Sequence, residues 1–530
     1  MTKVIRPLWA HQKRVVDKVI DEDIKAFAIL HDLGVGKTRT VIEIYRRRCA
    51  QKNRLLRCLI IGPLATVQSW KREILANSNI HERHISVVDG KKPKGKTVTL
   101  AQKKAQLSPS FDIFIINTDT VGNPNLWPLI EKLGIEFLVV DEAHQFKNGT
   151  ALRTKSLMKF SRGVEHKFIL TGSPVLQNAL DLWAQFYILN PQILGPNFMA
   201  FRAQYFYDAN ASMPSHIHFP DWKVKDATYF ARLARQGHAP EALVTQSMDY
   251  LSSVIYRHAD RVMKKDVLDL PPITYQTLEV ALSKEQQRIY DEMQEHLVAT
   301  LGEGEDDLTA ILEDMPELMQ ADLAIVKTLR LMQVCAGVVK PDDGQAKMLD
   351  KVPRLELLEE TLREICRPDE PKSYFGGNTN KVIIWSIFQP TYQAIASVCD
   401  KLGLGHVFLT GETKDKQAAM DAFNSNPDVR VIIANQGAGG TGVTLNAANY
   451  SLYYSRSFNL AHDLQSEARN YRGGQTRNVT RIDLVTPDTI DADIMQALAE
   501  KKAHAEDILD VKKAQLTAKD LAALLRKCKA

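Results

Sequence analysis

The stretch LHDLGVGKT at 30–38 combines glycines with a lysine and a threonine in the pattern of a phosphate-binding loop. Gly34 and Gly36 permit a tight turn that aims backbone N–H groups at phosphate, and a helix beginning near Lys37 adds its positive N-terminal dipole. Lys37 would then reach the β- and γ-phosphates, and the Thr38 hydroxyl would bind Mg²⁺. The stretch predicts nucleotide binding, although a glycine turn before an ordinary helix is an alternative.

Two carboxylates follow a buried apolar run in VVDEAH at 139–144. Charges at the end of such a strand are costly unless a cation meets them, so we interpret Asp141 as a Mg²⁺ ligand and Glu142 as the general base for an attacking water. His31 stands where a phosphate-binding loop usually opens with glycine, so neither stretch suffices alone. Together they predict hydrolysis of a nucleoside triphosphate.

A third group of polar residues lies in AHDLQSEARNYRGGQ at 461–475. Gln465, Arg469 and Arg472 are spaced i, i+4, i+7, which predicts one shared helix face, ended by the glycine pair that follows. Two such arginines could form a salt-bridged surface, or they could be arginine fingers that stabilise charge on the γ-phosphate in the transition state. The second interpretation predicts one ATP held at a cleft between two lobes.

Ten short apolar runs, rich in β-branched residues and alternating with helical patterns, are the candidate strands. They are apolar throughout rather than at every second residue, which predicts strands buried on both faces of parallel α/β sheets. Ligands of such sheets bind beyond the carboxyl ends of the strands, where the polar residues above lie. The runs are 26–30, 58–62, 111–117, 137–140 and 167–170 in the first half, and 381–388, 405–410, 429–435, 450–455 and 479–485 in the second.

The segment between the two sets of runs has a different composition, rich in helix formers and charge. It includes the acidic stretch 302–307 and the prolines of DLPP at 269–272, which favour an extended connection. The stretch 371–380 is predicted to be a loop, and Thr517 with Asp520 resembles a helix capping box. We expect a first lobe over 1–190, a helical protrusion and linker over 191–272, a helical insertion over 273–350, a second lobe over 351–495 and a C-terminal helical brace over 496–530.

The composition, 45% apolar and 25% charged over 530 residues, is that of a soluble globular protein with several domains. There is neither a membrane-length apolar run nor a signal peptide, so we expect a protein of the cytoplasm, or of the nucleus in a eukaryote. The net charge of +5 permits a polyanionic partner. Six cysteines without a C-x-x-C pair suggest buried thiols rather than zinc ligands: Cys49, Cys58, Cys335, Cys366, Cys399 and Cys528.

With these motifs in place, the chain resembles helicase superfamily 2, and within it the Swi/Snf family of double-stranded DNA translocases, over nearly its whole length. The phosphate loop of that family, D-E-M-G-L-G-K-T, is similar to HDLGVGKT and also lacks the first glycine. The resemblance implies two RecA-like lobes, ATP and Mg²⁺ as cofactors, Gln12 in PLWAHQ as the adenine-binding residue and Gln475 as a further nucleotide contact. Other matching stretches are 60–74, 116–120, 141–148, 170–183, 189–205, 264–272, 282–293, 382–389, 437–445 and 465–475.

Three positions depart from the family pattern. Thr444 stands where motif V usually has asparagine, and Ala468 and Tyr471 replace the aspartate and histidine of motif VI. Both arginines of motif VI are kept, so the departures concern the coupling of DNA to ATP rather than hydrolysis.

The resemblance also implies DNA contacts across both lobes, made to the phosphate backbone and therefore without sequence preference. The candidate contacts are Thr66, Thr118, Lys147, Thr441 and Gly442. For Thr66 and Thr118, a hydroxyl that caps local backbone is the alternative.

The leading hypothesis is a DNA-stimulated ATP hydrolase that moves along double-stranded DNA and remodels protein–DNA complexes or branched DNA. A strand-separating DNA helicase or RNA motor is one alternative, and a nucleotide-dependent clamp or scaffold is another. The short chain resembles a phage or bacterial form of the family, and we expect a monomer with no membrane partner.

Overall fold

The structure is a computed structural model, and the part of the chain that it describes excludes 1–6, 89–97, 176–178, 214–221, 226–228, 231, 234–247, 302–327, 340–344, 368–378, 440–443 and 509–530. The acidic stretch 302–307, the capping-box residues Thr517 and Asp520 and most of the predicted loop 371–380 therefore lie outside the described residues.

The first sheet has seven strands, all parallel, and β2, β4 and β5 are buried along their whole length. They are β1 (Ala26–Ile29), β2 (Cys58–Gly62), β3 (Ile85–Val87), β4 (Ile113–Asn117), β5 (Phe137–Asp141), β6 (His166–Leu170) and β9 (Ala259–Asp260). Their order across the sheet is β3-β4-β2-β5-β6-β1-β9. The carboxyl ends of β5, β6 and β1 are therefore neighbours. An antiparallel pair, β7 (Phe206–Asp208) and β8 (Trp222–Val224), lies outside this sheet.

Helices lie before, between and after these strands, and those between them make the crossovers that parallel pairing requires. They are α1 (Ala10–Asp21), α2 (Lys37–Lys52), α3 (Val67–Asn77), α4 (Leu100–Gln106), α5 (Trp127–Glu131), α6 (Leu152–Ser161), α7 (Asp181–Leu189), α8 (Phe198–Tyr205), α9 (Met248–Arg257) and α10 (Lys264–Val267). Helix α3 shows why they pack: Val67, Trp70 and Ile74 recur at helical spacing and are buried in one core. Successive residues of each strand point to opposite faces, so Ala28 belongs to one core and Phe27 to the other.

The second sheet has six parallel strands in the order β10-β17-β16-β13-β15-β14. They are β10 (Ile273–Glu279), β13 (Val382–Trp385), β14 (Gly405–Leu409), β15 (Val429–Ala434), β16 (Tyr450–Tyr453) and β17 (Val479–Val485), and a short antiparallel pair comprises β11 (Val338–Val339) and β12 (Lys347–Met348). The helices of this half are α11 (Lys284–Leu301), α12 (Pro353–Cys366), α13 (Gln389–Lys401), α14 (Lys416–Ser425), α15 (Gln436–Gly439), α16 (Leu460–Glu467) and α17 (Ile490–Ile508).

Two compact units divide the chain. The first comprises the residues up to Leu268 with those from Lys501 onward, and the second comprises Asp269–Glu500. The predicted fold class, two parallel α/β sheets in succession, is confirmed, and each of the ten predicted runs contains a strand. The finer division into protrusion, insertion and brace stays a prediction.

The structure also bears on the expected absence of a membrane span and on the expected burial of the cysteines. Within the described residues, no helix has the length and apolar character needed to span a bilayer. The five cysteines in the described part of the chain are free and buried, as expected, and Cys528 lies outside it.

Candidate nucleotide-binding and hydrolysis site

The phosphate-binding loop follows β1 and has the local conformation that its glycines predict. Gly34 and Gly36 have φ angles of 89° and 83°, in the left-handed region that favours glycine. Helix α2 begins at Lys37, so the first backbone N–H groups of the helix and its dipole point toward the loop. Thr38 lies in the first turn of this helix. The loop can therefore present backbone donors to a phosphate.

The Lys37 side chain is buried against the loop itself. Its Nζ donates to the carbonyl oxygens of His31 at 2.9 Å and of Asp32 at 3.2 Å. These contacts hold the ammonium group over the loop, where a phosphate oxygen would be a stronger, charged acceptor.

His31, at the place of the missing first glycine, serves as an anchor. Its side chain is completely buried and its Nε2 lies 2.8 Å from Asp260 Oδ2. Arg14 donates to both oxygens of Asp260 at 2.8 Å. Burial lowers the pKa of His31, although the hydrogen bond to Asp260 acts in the opposite direction. The neutral ring therefore links the loop to the edge strand β9.

Backbone hydrogen bonds extend this link along the loop. The Leu30 N–H donates to the Asp260 carbonyl at 2.8 Å, and the Asp32 N–H donates to the Val262 carbonyl at 2.9 Å. The Asp32 carboxylate in turn accepts from the Lys264 N–H at 2.9 Å. The loop is thus tied to residues 260–264, which precede the DLPP stretch at 269–272.

The predicted adenine-binding residue lies against the other side of the loop. The Gln12 amide donates to the Gly36 carbonyl at 3.2 Å and accepts from the Trp9 N–H at 2.9 Å. His11 Nε2 lies 2.9 Å from the Val35 carbonyl oxygen. Helix α1 therefore braces the loop, and adenine binding by Gln12 stays a prediction.

The two predicted acids lie at the carboxyl end of β5. Asp141 is its last residue, and Glu142 follows with a φ angle of 51°. The Trp70 indole N–H donates to Asp141 Oδ2 at 2.8 Å, and the Glu142 N–H donates to Asp141 Oδ1 at 3.0 Å. Burial and the Glu142 charge raise the pKa of Asp141 to about 6, against the opposing effects of the Trp70 hydrogen bond and the Lys37 charge.

A short chain of polar contacts leads from Glu142 to β6. His144 Nδ1 lies 3.3 Å from Glu142 Oε2 and 3.1 Å from Thr171 Oγ1. Thr171 directly follows β6, and a Cβ added to its neighbour Gly172 would lie 3.2 Å from the His31 carbonyl oxygen. The carboxyl ends of β5, β6 and β1 thus bring the acids and the phosphate loop into one site of the first unit.

The residues at this site fit a magnesium ion. Mg²⁺ prefers oxygen ligands and binds nucleotide sites through one or two protein groups plus phosphates and water. The Asp141 carboxylate is buried, fixed in orientation and raised in pKa by desolvation, so a cation would favour its charged form. Thr38 and Asp141 are the residues that would hold the ion.

The prediction of a shared helix face for the motif VI arginines is wrong. Helix α16 ends at Glu467, so Gln465 lies on the helix while both arginines lie in the turn that follows. The Gln465 carbonyl accepts from the Arg469 Nε at 2.7 Å, and the Arg469 N–H bonds to Ser466 instead. The Arg469 side chain therefore bonds to the Gln465 carbonyl, which is the acceptor that the Arg469 N–H would need if the helix continued.

Arg472 and Gln475 shape the turn. Arg472 donates to the Thr444 hydroxyl at 2.8 Å, which pairs one of the departures from the family pattern with a motif VI arginine. The buried Gln475 amide donates to the carbonyls of Asn446, Ala448 and Asn470 at 3.2, 2.9 and 3.1 Å. Gln475 holds neighbouring loops together, and nucleotide contact by it stays a prediction.

A buried charge network anchors α16 to the second sheet. Arg481 on β17 donates to Asp463 at 2.8 Å and to Glu467 at 2.9 Å, both on α16. It also bonds Asp483 at 3.2 Å and lies over the Tyr453 ring, 4.1 Å from the centroid. This network fixes the position of the turn that carries the arginines.

Two of the candidate DNA contacts, Thr66 and Lys147, have local partners in the described part of the chain. The Thr66 hydroxyl donates to the Pro63 carbonyl at 2.9 Å, and Thr118 is buried in a short 3₁₀ helix. Lys147 Nζ lies 3.7 Å from Asp181 Oδ2. Thr441 and Gly442 lie outside the described residues, and DNA contact by all five stays a prediction.

Sequence reasoning assigned no role to Trp70, Asp260 or Thr171, which all contact the site. Trp70 could have been identified from the sequence, because a tryptophan in an apolar helical pattern is expected to be buried and its N–H then needs an acceptor. Asp260 gave no such signal because its partner His31 lies far away in the sequence.

Similar proteins cover most of this chain. A zebrafish (Danio rerio) protein, the SWI/SNF-related matrix-associated actin-dependent regulator of chromatin subfamily A containing DEAD/H box 1A, is 24% identical over 91% of this chain and 49% of its own. The DNA repair and recombination protein RDH54 of Saccharomyces cerevisiae is 22% identical over 92% of this chain and 52% of its own. This chain thus spans about half the length of these two relatives.

A solved structure and a family model also match. The Sulfolobus solfataricus SWI2/SNF2 ATPase core in complex with dsDNA is 20% identical, with a TM-score of 0.39, over 98% of this chain and 97% of that one. The model of the SNF2-related domain matches residues 11–330, which is more than half of this chain. The chain therefore belongs to the SNF2-related family.

Proposed function

We propose that this protein is a DNA-stimulated ATP hydrolase that moves along double-stranded DNA. The observation that carries the proposal is the convergence of the phosphate loop, the Asp141–Glu142 pair and the His144–Thr171 contact at the adjacent ends of β1, β5 and β6. Membership of the SNF2-related family supports ATP as the nucleotide.

DNA is the proposed partner because two relatives that match most of this chain are named for chromatin regulation and for DNA repair and recombination. The net charge of +5 is compatible with phosphate-backbone binding. We propose a monomer that acts on duplex or branched DNA, in the cytoplasm or, in a eukaryote, the nucleus.

In the proposed mechanism, Lys37 exchanges its contacts with the loop carbonyls for the β- and γ-phosphates of ATP. Glu142, held near His144, accepts the proton of the attacking water. Arg469 and Arg472 stabilise the charge that develops on the transferred phosphoryl group. Mg²⁺, when bound by Thr38 and Asp141, would neutralise phosphate charge.

The test compares ATPase rates of the full chain on duplex, single-stranded and branched DNA, beside displacement of a triplex-forming strand from a duplex. We expect the largest stimulation by duplex or branched DNA and ATP-dependent displacement of the third strand. Greater stimulation by single strands or RNA would support a helicase or RNA motor instead.

Two variants separate a motor from a nucleotide-dependent clamp. Glu142→Gln should bind ATP and lose both hydrolysis and triplex displacement, because the general base is removed while the binding groups remain. Lys37→Ala should lose ATP binding itself. Triplex displacement that survives in Glu142→Gln would contradict the motor and favour a clamp.

A further inference from the structure

Trp70 is a buried side chain that the proposed mechanism does not use. Only 2% of the residue is exposed, and its ring packs in the core between α3 and the first sheet. Its one polar atom, Nε1, donates to Asp141 Oδ2 at 2.8 Å across a separation of 71 residues. A buried indole N–H needs an acceptor, and here the acceptor is the carboxylate proposed to bind Mg²⁺.

The contact fixes the orientation of that carboxylate. Asp141 Oδ2 accepts a hydrogen bond from Trp70, and Oδ1 accepts one from the Glu142 N–H at 3.0 Å. Each carboxylate oxygen is therefore fixed by one hydrogen bond from the protein. The strand β2 limits the aspartate from another direction, since a Cβ added to Gly62 would lie 3.3 Å from Asp141 Cβ. Each carboxylate oxygen keeps a second lone pair for a cation.

We propose that Trp70 is a positioning residue for the magnesium–nucleotide complex, acting through its hydrogen bond to Asp141. The inference rests on the proposed function, since it assumes that Asp141 binds Mg²⁺. Partners of metal-binding side chains commonly change metal affinity by about 10- to 100-fold when they are removed. A ring that served only to fill the core would not have this effect.

The test variant is Trp70→Phe, which keeps an aromatic ring in the core and removes the N–H donor. The matched control is Trp127→Phe in the same unit. Trp127 is also buried, at 5% exposure, and its Nε1 has no hydrogen-bond partner within the described residues. The two substitutions remove similar apolar volume, so a difference between them reports the hydrogen bond.

The measurement is binding of a fluorescent, non-hydrolysable ATP analogue to the full chain, with Mg²⁺ and with EDTA. We expect Trp70→Phe to weaken binding about tenfold with Mg²⁺ and to leave binding in EDTA unchanged. Trp127→Phe should change neither affinity. Equal affinities of Trp70→Phe and the wild type in Mg²⁺ would overturn the inference, as would equal weakening in EDTA.

A second substitution covers the case in which Trp70→Phe does not fold. Benzothienylalanine at position 70 has the shape of tryptophan with sulfur in place of the N–H, so it removes the donor alone, and the same affinities are expected. If the wild type itself binds the analogue no better with Mg²⁺ than in EDTA, the proposed function fails. A normal wild type with an unaffected variant rejects only the role of Trp70.

Discussion

At the scale of single residues, a buried histidine occupies the place that a phosphate-binding loop usually gives to glycine. His31 bonds to Asp260 at 2.8 Å and packs edge-on against the His11 ring, 5.7 Å between centroids. In other loops the glycine at this position permits backbone conformations that other residues disfavour. Here the His31 side chain instead bonds the loop to β9. Gly34 and Gly36 alone supply the positive φ angles of the turn.

The substitution His31→Gly, which introduces the usual glycine, should therefore destabilise the folded protein. The variant loses a buried hydrogen bond and leaves a cavity, so we expect the free energy of unfolding to fall by about 1–3 kcal/mol, with no gain in ATP affinity. Thermal or urea unfolding and nucleotide titration measure both quantities. Asp260→Asn, which keeps an acceptor for His31, should have a smaller effect; a stabilised His31→Gly would contradict this account.

The placement of the residues proposed for the phosphate site could be predicted from the sequence because their motif is local. Lys37 and Thr38 follow the glycines directly, and Asp141 and Glu142 end a continuous apolar run. Their positioning partners could not be predicted in the same way. The contact between Trp70 and Asp141 depends on which strands are neighbours in the sheet, and no local pattern gives that order.

At the scale of secondary-structure elements, burial decides which strands could be predicted. All ten predicted runs contain strands, and most of these strands, although not the edge strand β14, are buried on both faces, which requires continuous apolar sequence. The strands that were missed in the two large sheets, β3, β9 and β10, are edge strands, as is β14, which was predicted. Strand β10 is largely exposed along Ile273–Glu279, so its composition carries little signal.

Helix ends were harder to predict than helices. The sequence 461–475 has helical spacing as far as Arg472, yet α16 stops at Glu467. The reason lies in tertiary contacts: the Arg469 carbonyl accepts from the Leu445 N–H at 3.0 Å, and Arg481 holds Glu467 at 2.9 Å. Such long-range contacts override local spacing.

Strand β6 gives a prediction about pH. Its first residue, His166, is buried beside Glu165, and burial lowers its pKa to about 4, with the Glu165 charge opposing this shift. The unfolded chain has the ordinary histidine pKa of about 6.5, so it binds more protons than the folded chain between these values. The stability of the first unit should therefore fall as the pH is lowered from about 6.5 to about 4.

His166→Phe should make this loss of stability with falling pH smaller. Phenylalanine does not titrate and would keep a ring beside Phe137, whose centroid lies 5.9 Å from that of His166. The measurement is the thermal midpoint at a series of pH values. The substitution His81→Gln, at an exposed histidine, is the control for the loss of one histidine. Identical profiles for His166→Phe and the wild type would rule out the role of His166.

At the scale of the whole molecule, two compact units divide the chemistry that the family signature requires. The phosphate loop and both acids lie in the first unit, and the motif VI arginines lie in the second. The order of motifs along the chain made this division predictable from the sequence. This distribution predicts that the binding of ATP and its turnover depend on residues of different units.

Arg469→Ala tests that distribution. If the first unit binds ATP and the second contributes arginine to the transition state, the variant should keep ATP affinity and lose about 1000-fold or more in turnover, the range known for arginine fingers. Nucleotide titration and steady-state ATPase rates measure the two effects separately.

The controls must separate catalysis from folding, because Arg469 is 5% exposed and its Nε bonds to the Gln465 carbonyl. Arg469→Lys, which keeps the charge but loses the planar donor group, should retain more stability than the alanine variant and still hydrolyse slowly. Arg363→Ala, at a half-exposed site on α12, should hydrolyse normally. Since the turn holding Arg469 is fixed by Gln475 and Arg481, a folded Arg469→Ala protein with normal turnover would show that this arginine braces the turn and takes no part in hydrolysis.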